Sequence, residues 1–385
     1  SLLCATFSLT ILGTFLTRSG VVESVHAFAS GAVGPMLLGL FGATVAVSLG
    51  LIAWRAGELR SVGRIESPVS REGAFLANNL VFAGLAFVVL LGTVFPLLVE
   101  AVNGERLSVG VPYFNRMAMP FGFALLTLMA VAPVMPWRRA DSGLLRERLF
   151  WPAWVGVAAL VVAVLLGARG WAPLLAFALS GFAAGSALRQ LWLGVRTHGV
   201  RGLLGRSNGG MVVHLGTIIL AVAFAASSSY VRQAEVRLSP GEEVTVAGHT
   251  VEYIETVTRG SDRLVTVAAR VRVDGDQVFE PRLNRYRSSG MVIGTPSVRV
   301  GPAQDVYLAL TSSPEAGGSG APATGDEIGL RVIIQPMVVW LWTGGIVMVL
   351  GTVLALVPTR RRRSEAAQTP EPEGPEGTDV DEVLT

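Results

Sequence analysis

The chain has 385 residues, of which 51% are hydrophobic and 15% charged, with a formal net charge of +3 and a single cysteine. Globular domains carry about a quarter charged residues, so this composition excludes an ordinary soluble enzyme and indicates an integral membrane protein with a soluble part. One cysteine excludes an internal disulfide and any Cys-x-x-Cys motif, so the chain is not itself a c-type cytochrome.

Eight apolar segments follow one another along the chain, and most approach the roughly 20 residues that a membrane-spanning helix needs. They cover residues 1–16, 34–54, 74–99, 117–137, 150–167, 171–193, 209–226 and 336–357. The fifth, residues 150–167, is the weakest candidate. The first has neither the basic start nor the cleavage site of a signal peptide, so we expect the chain to begin inside a helix, as a fragment does.

All 31 basic residues are arginines, and cytoplasmic loops of membrane proteins carry an excess of basic residues. The loops after the even-numbered segments contain Arg55, Arg60, Arg64, Arg71, Arg138, Arg139, Arg146, Arg148, Arg196, Arg201, Arg206, Arg360, Arg361, Arg362 and Arg363. The short loops of the other face contain Arg18, Arg106 and Arg169. The arginine-rich face is therefore predicted to be cytoplasmic, and the loop TRSGVVESVHAFASG, residues 17–31, to be periplasmic.

Residues 227–335 alternate between apolar and polar positions, as half-buried β-strands do. Asp274-Gly275 stands between two such runs and predicts a hairpin turn. Residues 312–327 are rich in Gly, Pro and Ala and predict a mobile loop. The fold class is therefore an α-helical polytopic membrane protein of about eight transmembrane helices, with a small β-rich extracytoplasmic domain inserted before the last helix.

The predicted domains follow from these patterns. A membrane domain of seven helices covers 1–226, the periplasmic β-rich domain covers 227–335, and the last transmembrane helix covers 336–357. Residues 358–385 form a basic and then acidic tail, predicted to be disordered in the cytoplasm.

His214 lies in the seventh segment, within NGGMVVHLGTIIL. An ionisable side chain inside a membrane helix is costly and faces the protein interior. Two interpretations remain open from the residues. The imidazole is either neutral and hydrogen-bonded to a neighbouring helix, or it is an axial ligand of haem iron in space left by small residues.

His26 lies in the outer loop with Arg18 and Phe28. A lone loop histidine is usually solvated. The alternative is a site for a planar acidic ligand, in which His26 binds a metal, Phe28 contacts a ring and Arg18 pairs with a carboxylate. His198 and His249 are interpreted as solvated. Asn78 and Asn79 are interpreted as helix–helix hydrogen-bonding groups.

Several stretches together carry a resemblance to a known family, because they occur in the family's order and on the expected sides of the membrane. They are GTFLTRSGVVESVHAFAS, NNLVFAGLAFVVLLGTVFPLLVE followed by LSVGVPYFN, GGMVVHLG, EVRLSPGEEVTVAGHTVEYIE and VVWLWTGGIVMVLG. The chain resembles the CcmF family, the large membrane subunit of the haem lyase of the Ccm cytochrome c maturation system. The resemblance covers all but the acidic tail.

The resemblance implies a haem lyase that attaches haem vinyl groups to the Cys-x-x-Cys-His thiols of apocytochrome c. It implies that His26 is a periplasmic ligand of transient haem, delivered by a CcmE-type chaperone. It implies that His214 is a transmembrane ligand of a stable haem b. The implied partners are that chaperone, a CcmH-type subunit that handles the apocytochrome, and apocytochrome c itself; no nucleic acid is expected.

The family's tryptophan-rich WWD region and the other member of each histidine pair have no counterpart in this chain, so we expect this chain alone to be inactive. A rival interpretation is a haem or small-molecule permease of the inner membrane, although the internal symmetry of transporters is not visible in the sequence. A third is a scaffold whose outer β-rich domain docks partners.

Overall fold

The computed structural model describes residues 2–19, 21, 32–59, 66–104, 107, 109–139, 141–313, 317–318 and 326–358. Its helices are α1 Leu2–Arg18, α2 Val33–Trp54, α3 Arg71–Asn103, α4 Val111–Val131, α5 Ser142–Leu165, α6 Trp171–His198, α7 Arg206–Ser229 and α8 Val338–Leu356. Within the described ranges, seven of these are long and apolar enough to cross a membrane, and α1 is a shorter apolar helix. The predicted helical membrane architecture is confirmed.

The helix starts are where the sequence prediction was wrong, and a polar cap accounts for one of two early starts. Helix α5 begins at Ser142, eight residues before the predicted segment, because Asp141 caps it and accepts a hydrogen bond from Gly143 N at 3.0 Å. The helix has 24 residues and is not a weak span. Helix α4 likewise begins early, with Pro112 in its first turn, where its missing N–H costs nothing.

Glycines bring two helix pairs into close contact. A methyl group added to Gly181 would lie 2.5 Å from Cβ of Ala159, so α6 approaches α5 at a distance that only glycine permits. A methyl group added to Gly216 would lie 2.6 Å from Cγ of Met348. One added to Gly351 would lie 2.6 Å from the backbone N of Val213. Helices α7 and α8 therefore pack backbone to backbone.

Hydrogen bonds between helix ends agree with up-and-down alternation. Arg71 N, at the start of α3, donates to Pro136 O just after α4, at 3.0 Å. Gly205 N, just before α7, donates to Leu354 O near the end of α8, also at 3.0 Å. At the other face the hydroxyl of Tyr230, after α7, donates to Arg169 O in the α5–α6 loop at 2.8 Å.

The chain between α7 and α8 forms strands β1 Arg232–Leu238, β2 Glu243–Val246, β3 His249–Gly260, β4 Leu264–Val273, β5 Gln277–Phe279, β6 Arg282–Tyr286, β7 Val292–Thr295, β8 Ser297–Arg299, β9 Gln304–Ser313, β10 Gly317–Gly318 and β11 Ile328–Pro336. They make two antiparallel sheets, one ordered β1-β11-β9-β10 with β8 beside β9, the other ordered β2-β3-β4-β6-β7 with β5 beside β4. The sheets share one apolar core, which includes Leu238, Val251, Tyr253, Val271, Leu308, Leu330 and Val332.

Left-handed turn residues form two hairpins, of which the sequence predicted the one at Asp274-Gly275. Asp274 and Gly275 join β4 to β5 with φ of 51° and 75°, and Ala247 and Gly248 join β2 to β3 with φ of 50° and 91°. The β2–β3 loop consists of these two residues alone, whereas the β4–β5 loop has a third, Asp276, between the paired Val273 and Gln277. Of the predicted mobile loop, residues 312–313 belong to β9 and 317–318 form β10, while most of the rest lies outside the described residues. The tail from residue 359 also lies outside them.

Candidate functional site

His214 occupies the third turn of α7 and makes no hydrogen bond to any residue that the structure describes. Its Nδ1 atom is buried and has no partner. A buried polar atom normally has a hydrogen-bond partner, so an orphaned ring nitrogen needs an explanation. The interpretation of His214 as a helix–helix hydrogen-bonding group is therefore wrong for the described part of the chain.

The packing of α7 decides where His214 points. Gly209, Val213 and Gly216 face α8, as the close approaches of Gly216 and Gly351 show. His214, Thr217 and Ala221 are spaced i, i+3 and i+7, so they share another face of the helix. That face lines a cavity of about 620 Å³ between α3, α4 and α7.

The cavity is almost wholly apolar apart from His214, Asn78 and the Thr217 hydroxyl. Its remaining lining residues are aliphatic or aromatic: Ala74, Phe75, Phe82, Met119, Gly122, Phe123, Leu125, Leu126, Leu128, Met129, Ala132 and Ala221. The Thr217 hydroxyl is satisfied within its own helix, because it donates to Val213 O at 3.1 Å. Thus one free imidazole faces a large apolar space.

This arrangement fits a metal-bearing macrocycle better than a bare metal ion. No group of three or more His, Cys, Asp or Glu side chains that would hold an ion occurs among the described residues. A haem brings four ring nitrogens of its own, so the protein need supply only axial ligands and an apolar pocket. Phe75, Phe82 and Phe123 provide flat apolar surfaces, and the His214 imidazole is placed where a haem would need a ligand.

Arg71 lies one turn before Ala74 and Phe75, at the end of the cavity near Ala132. Its guanidinium stacks over Trp137 with Cζ 5.3 Å from the ring centroid and donates to Pro133 O at 2.7 Å. Its Nε atom is buried without a partner. In the sequence, Arg71 is interpreted only as a topology signal. The i, i+4, i+7 spacing of Arg71, Phe75 and Asn78 places the three residues on one face of α3.

The other predicted site residues are not brought together with His214. His26 and Phe28 lie outside the described residues. Arg18 is the last residue of α1, and its side chain is exposed. Asn78 lines the cavity, and no hydrogen bond joins it to another described helix, so the helix–helix interpretation of this residue is not confirmed.

The two remaining histidines differ. His198 ends α6 in an exposed position, as predicted. His249 was interpreted as solvated, and this was wrong: its side chain is 15% exposed, and Nδ1 lies 2.7 Å from Oδ2 of Asp274. Nε2 lies 2.6 Å from the Gln304 amide nitrogen, which belongs to the opposite sheet. The residues next to His249 in the sequence do not indicate these partners, because Asp274 and Gln304 are 25 and 55 residues away.

Asp274 collects hydrogen bonds from His249, Arg299 and the backbone N–H of Thr250. Partial burial by itself raises the pKa of this carboxyl. The hydrogen bonds and the positive charge around it outweigh the burial and lower the pKa of Asp274 from 3.8 to about 2. The cluster connects β3 and the β4–β5 turn of one sheet with β8 and β9 of the other.

No family model matches the chain. It is 35% identical over 370 residues to the cytochrome c-type biogenesis protein CcmF of Pseudomonas aeruginosa, covering 93% of this chain and 54% of that protein. It is 32% identical to CcmF of Escherichia coli, covering 95% of this chain and 56% of that protein. Against CycK of Rhizobium meliloti the identity is 31%, with coverages of 93% and 54%.

A solved structure, titled Cytochrome c Heme Lyase CcmF, superposes on this fold with a TM-score of 0.72 and 28% sequence identity. The superposition covers 91% of this chain and 53% of that one. The chain therefore spans about half the length of the relatives it matches, and the likeness extends through both the helices and the β-rich domain.

Proposed function

Because the chain belongs to the CcmF-type family of cytochrome c biogenesis proteins, we propose that it forms part of a haem lyase that attaches haem to apocytochrome c. In this reaction each thiol of a Cys-x-x-Cys-His motif adds across one vinyl group of haem. Sulfur bonds to one vinyl carbon and hydrogen to the other, so no atom is lost and no oxidant is consumed.

The observation that carries the proposal is the unpartnered imidazole of His214 on an apolar cavity of about 620 Å³. We assign this cavity to a stable haem b, which His214 would hold through its iron. The haem, when bound, would supply one-electron transfer. Phe75, Phe82 and Phe123 would pack on the ring and exclude water.

The second proposed site is on the outer face, at His26 with Arg18 and Phe28. There a CcmE-type chaperone would deliver the haem that is to be attached. An imidazole that holds this haem by its iron would orient the vinyl groups toward the arriving thiols, which is catalysis by positioning. A CcmH-type subunit would present the apocytochrome.

The proposed orientation rests on the arginine distribution and on the pairing of helix ends. It puts the start of α7, the end of α8 and the arginine-rich loops in the cytoplasm of a bacterium. The β-rich domain then lies in the periplasm, where cytochromes c are assembled, and His214 lies toward the cytoplasmic half of the bilayer. The permease alternative has no specific observation in its favour, since each described spanning segment is a continuous helix.

The test is an absorption spectrum of the purified protein, oxidised and then reduced with dithionite. We expect a b-type haem spectrum that is lost in His214→Ala. His198→Ala is the matched control, because His198 is exposed at the end of α6 and does not line the cavity. An unchanged spectrum in His214→Ala, with His198→Ala also unchanged, would sink the assignment.

A further inference from the structure

A second cavity, of about 850 Å³, lies where the membrane helices meet the β-rich domain. Its walls come from α5, α6 and α7, and its upper rim comes from the beginning of β1, the β8–β9 connection and the end of β11. The apolar lining includes Val162, Leu166, Phe177, Ile218, Val222 and Ala226. His214 does not line it, so it is separate from the proposed haem b site.

The apolar part of this cavity has the shape of a groove along α7. Ile218, Val222 and Ala226 follow at intervals of four residues, and their span of eight residues corresponds to about 12 Å of helix rise. Val162 on α5 and Leu166 just after its end are 53% and 83% exposed, so the groove opens sideways at the level of the apolar helix surfaces. An aliphatic groove that opens toward hydrocarbon fits a hydrocarbon chain.

The rim of the cavity carries positive charge without nearby compensation. Arg232, the first residue of β1, lines the cavity, and its guanidinium contacts no carboxylate among the residues described. Arg169 follows the lining residue Ala168, and its guanidinium donates only to backbone carbonyls, Val164 O at 3.4 Å and Ala168 O at 2.9 Å. Tyr230, also in the lining, holds the backbone of Arg169 at this rim.

A guanidinium without a carboxylate partner is well suited to bind phosphate, through charge-assisted hydrogen bonds in a planar fork. The guanidinium groups of Arg232 and Arg169, near an aliphatic groove, complement a lipid with an anionic head group and a hydrocarbon tail. A haem is less suited to this cavity, because no imidazole stands in its described lining. The nearby His249 has its Nε2 atom engaged by Gln304.

The roof of the cavity is firmly tied to the last helix. Met337, which lines the cavity, donates its N–H to Ala303 O at 2.9 Å, and the indole of Trp340 donates to Pro302 O at 2.8 Å. A molecule in this cavity would therefore contact the membrane helices and the β-rich domain together, and its binding would stabilise the junction between them.

We propose that this cavity binds one anionic glycerophospholipid, with an acyl chain between α5, α6 and α7 and its phosphate at Arg232 and Arg169. The proposal does not depend on haem binding. It assigns a structural lipid to the junction between membrane helices and β-rich domain.

The experiment compares lipids on the complete purified protein after delipidation in detergent, by native mass spectrometry. The probes are dioleoylphosphatidylglycerol, which is anionic, and dioleoylphosphatidylcholine, which is zwitterionic and has the same chains. We expect one tightly bound phosphatidylglycerol, preferred by about tenfold, because both lipids offer a phosphate but the choline of phosphatidylcholine brings a positive charge beside the arginines. The same lipid should raise the melting temperature.

Three variants locate the site. Arg232→Gln should reduce the preference for phosphatidylglycerol about tenfold. Ala163→Phe, which fills the groove, should abolish binding of both lipids. Val161→Phe is the matched control on the same helix, because Val161 is 50% exposed and does not line the cavity, and it should bind as the parent protein does.

Several results would overturn the proposal. Equal binding of the two lipids would show that the site does not select an anionic head group, which contradicts the proposal. Binding that survives Ala163→Phe, or the absence of bound lipid from the delipidated protein after titration, would remove the site. If Ala163→Phe abolished a haem spectrum while the variant stayed folded, the occupant would be haem and not lipid.

Discussion

His249 donates its Nδ1–H to Oδ2 of Asp274 at 2.7 Å, and this pair joins the start of β3 to the turn after β4. The carboxylate can only accept, so Nδ1 of the ring carries a proton. Nε2 lies 2.6 Å from the amide nitrogen of Gln304, in the other sheet. One histidine thus connects both sheets of the β-rich domain beside the membrane junction.

This relationship predicts a pH dependence of stability. The pKa of Asp274 is lowered in the folded protein from 3.8 to about 2, so its charged form stabilises the fold. That contribution is fully present above about pH 4 and is lost as the pH falls toward about 2. Asp274→Asn should lower the stability of the β-rich domain by about 1.5–3 kcal/mol at pH 7, the range for hydrogen bonds to charged groups.

Thermal unfolding of the purified protein between pH 7 and pH 3 measures this effect, with hydrogen exchange of the β3 and β4 amides as the local readout. Asparagine tolerates the positive φ of position 274, so backbone strain does not confuse the result. Asp276→Asn in the same turn is the control and should behave as the parent. A difference between Asp274→Asn and the parent that stays constant down to pH 3 would contradict the prediction.

The two proposed haem sites, at His26 and at His214, predict independent phenotypes. His26→Ala should leave the b-type spectrum of the purified protein intact while it abolishes covalent haem in cytochromes c, because delivery and orientation fail at the outer site only. Haem staining of c-type cytochromes in the expressing strain measures the loss, with His198→Ala as control. Normal staining in the His26→Ala strain would refute the role of this loop.

The cavity beside His214 can be filled by a substitution that leaves His214 itself unchanged. Gly122 lines the cavity, and an added Cβ meets no atom within 4 Å. Gly122→Phe should therefore fold and yet reduce bound haem to under about a tenth, since pocket ligands depend on space that is already formed. Gly39→Phe on α2 is the control, because its Cβ position is equally open and lies outside the cavity.

The measurement is the amount of haem per protein in the purified Gly122→Phe and Gly39→Phe variants, taken from the ratio of haem absorbance to protein absorbance. Full haem content in Gly122→Phe would show that haem b is bound elsewhere, even if His214 proved essential. Low haem in both variants would point to a general loss of helix packing and would equally contradict the assignment.

The close packing of α7 and α8 predicts unequal effects of two Gly→Ala changes on the same helix. At Gly216 the new methyl group would lie 2.6 Å from Met348 and 2.7 Å from Gly344 O, whereas at Gly210 it meets nothing within 4 Å. Gly216→Ala should destabilise the protein by about 1–3 kcal/mol through overpacking. Gly210→Ala should be neutral or slightly stabilising, because alanine is the better helix former.

Melting temperatures in one detergent, followed by size-exclusion chromatography after heating, compare the two variants directly. Equal melting temperatures would mean that α7 and α8 separate easily and that the face of His214 is set by some other contact.

Local patterns in the sequence determined much of this fold. The apolar segments gave the helices because a membrane helix satisfies all its backbone groups within one continuous stretch. Asp274-Gly275 gave its hairpin because the turn chemistry is contained in two residues. The helix starts were less accurate, since caps such as Asp141 lie in polar sequence beyond the apolar run.

The sequence by itself identified His214 as a candidate ligand, and only the tertiary structure shows that its ring faces an apolar cavity and that its Nδ1 has no partner among the described residues. The cavity beside it is built from α3, α4 and α7, whose lining residues are far apart in the chain, so no local spacing encodes it. His249 shows the same limit, because its partners come from a turn and from the opposite sheet. Apolar periodicity in the sequence indicates which face of a helix or strand is buried. The residues that this face contacts depend on packing between distant segments of the chain.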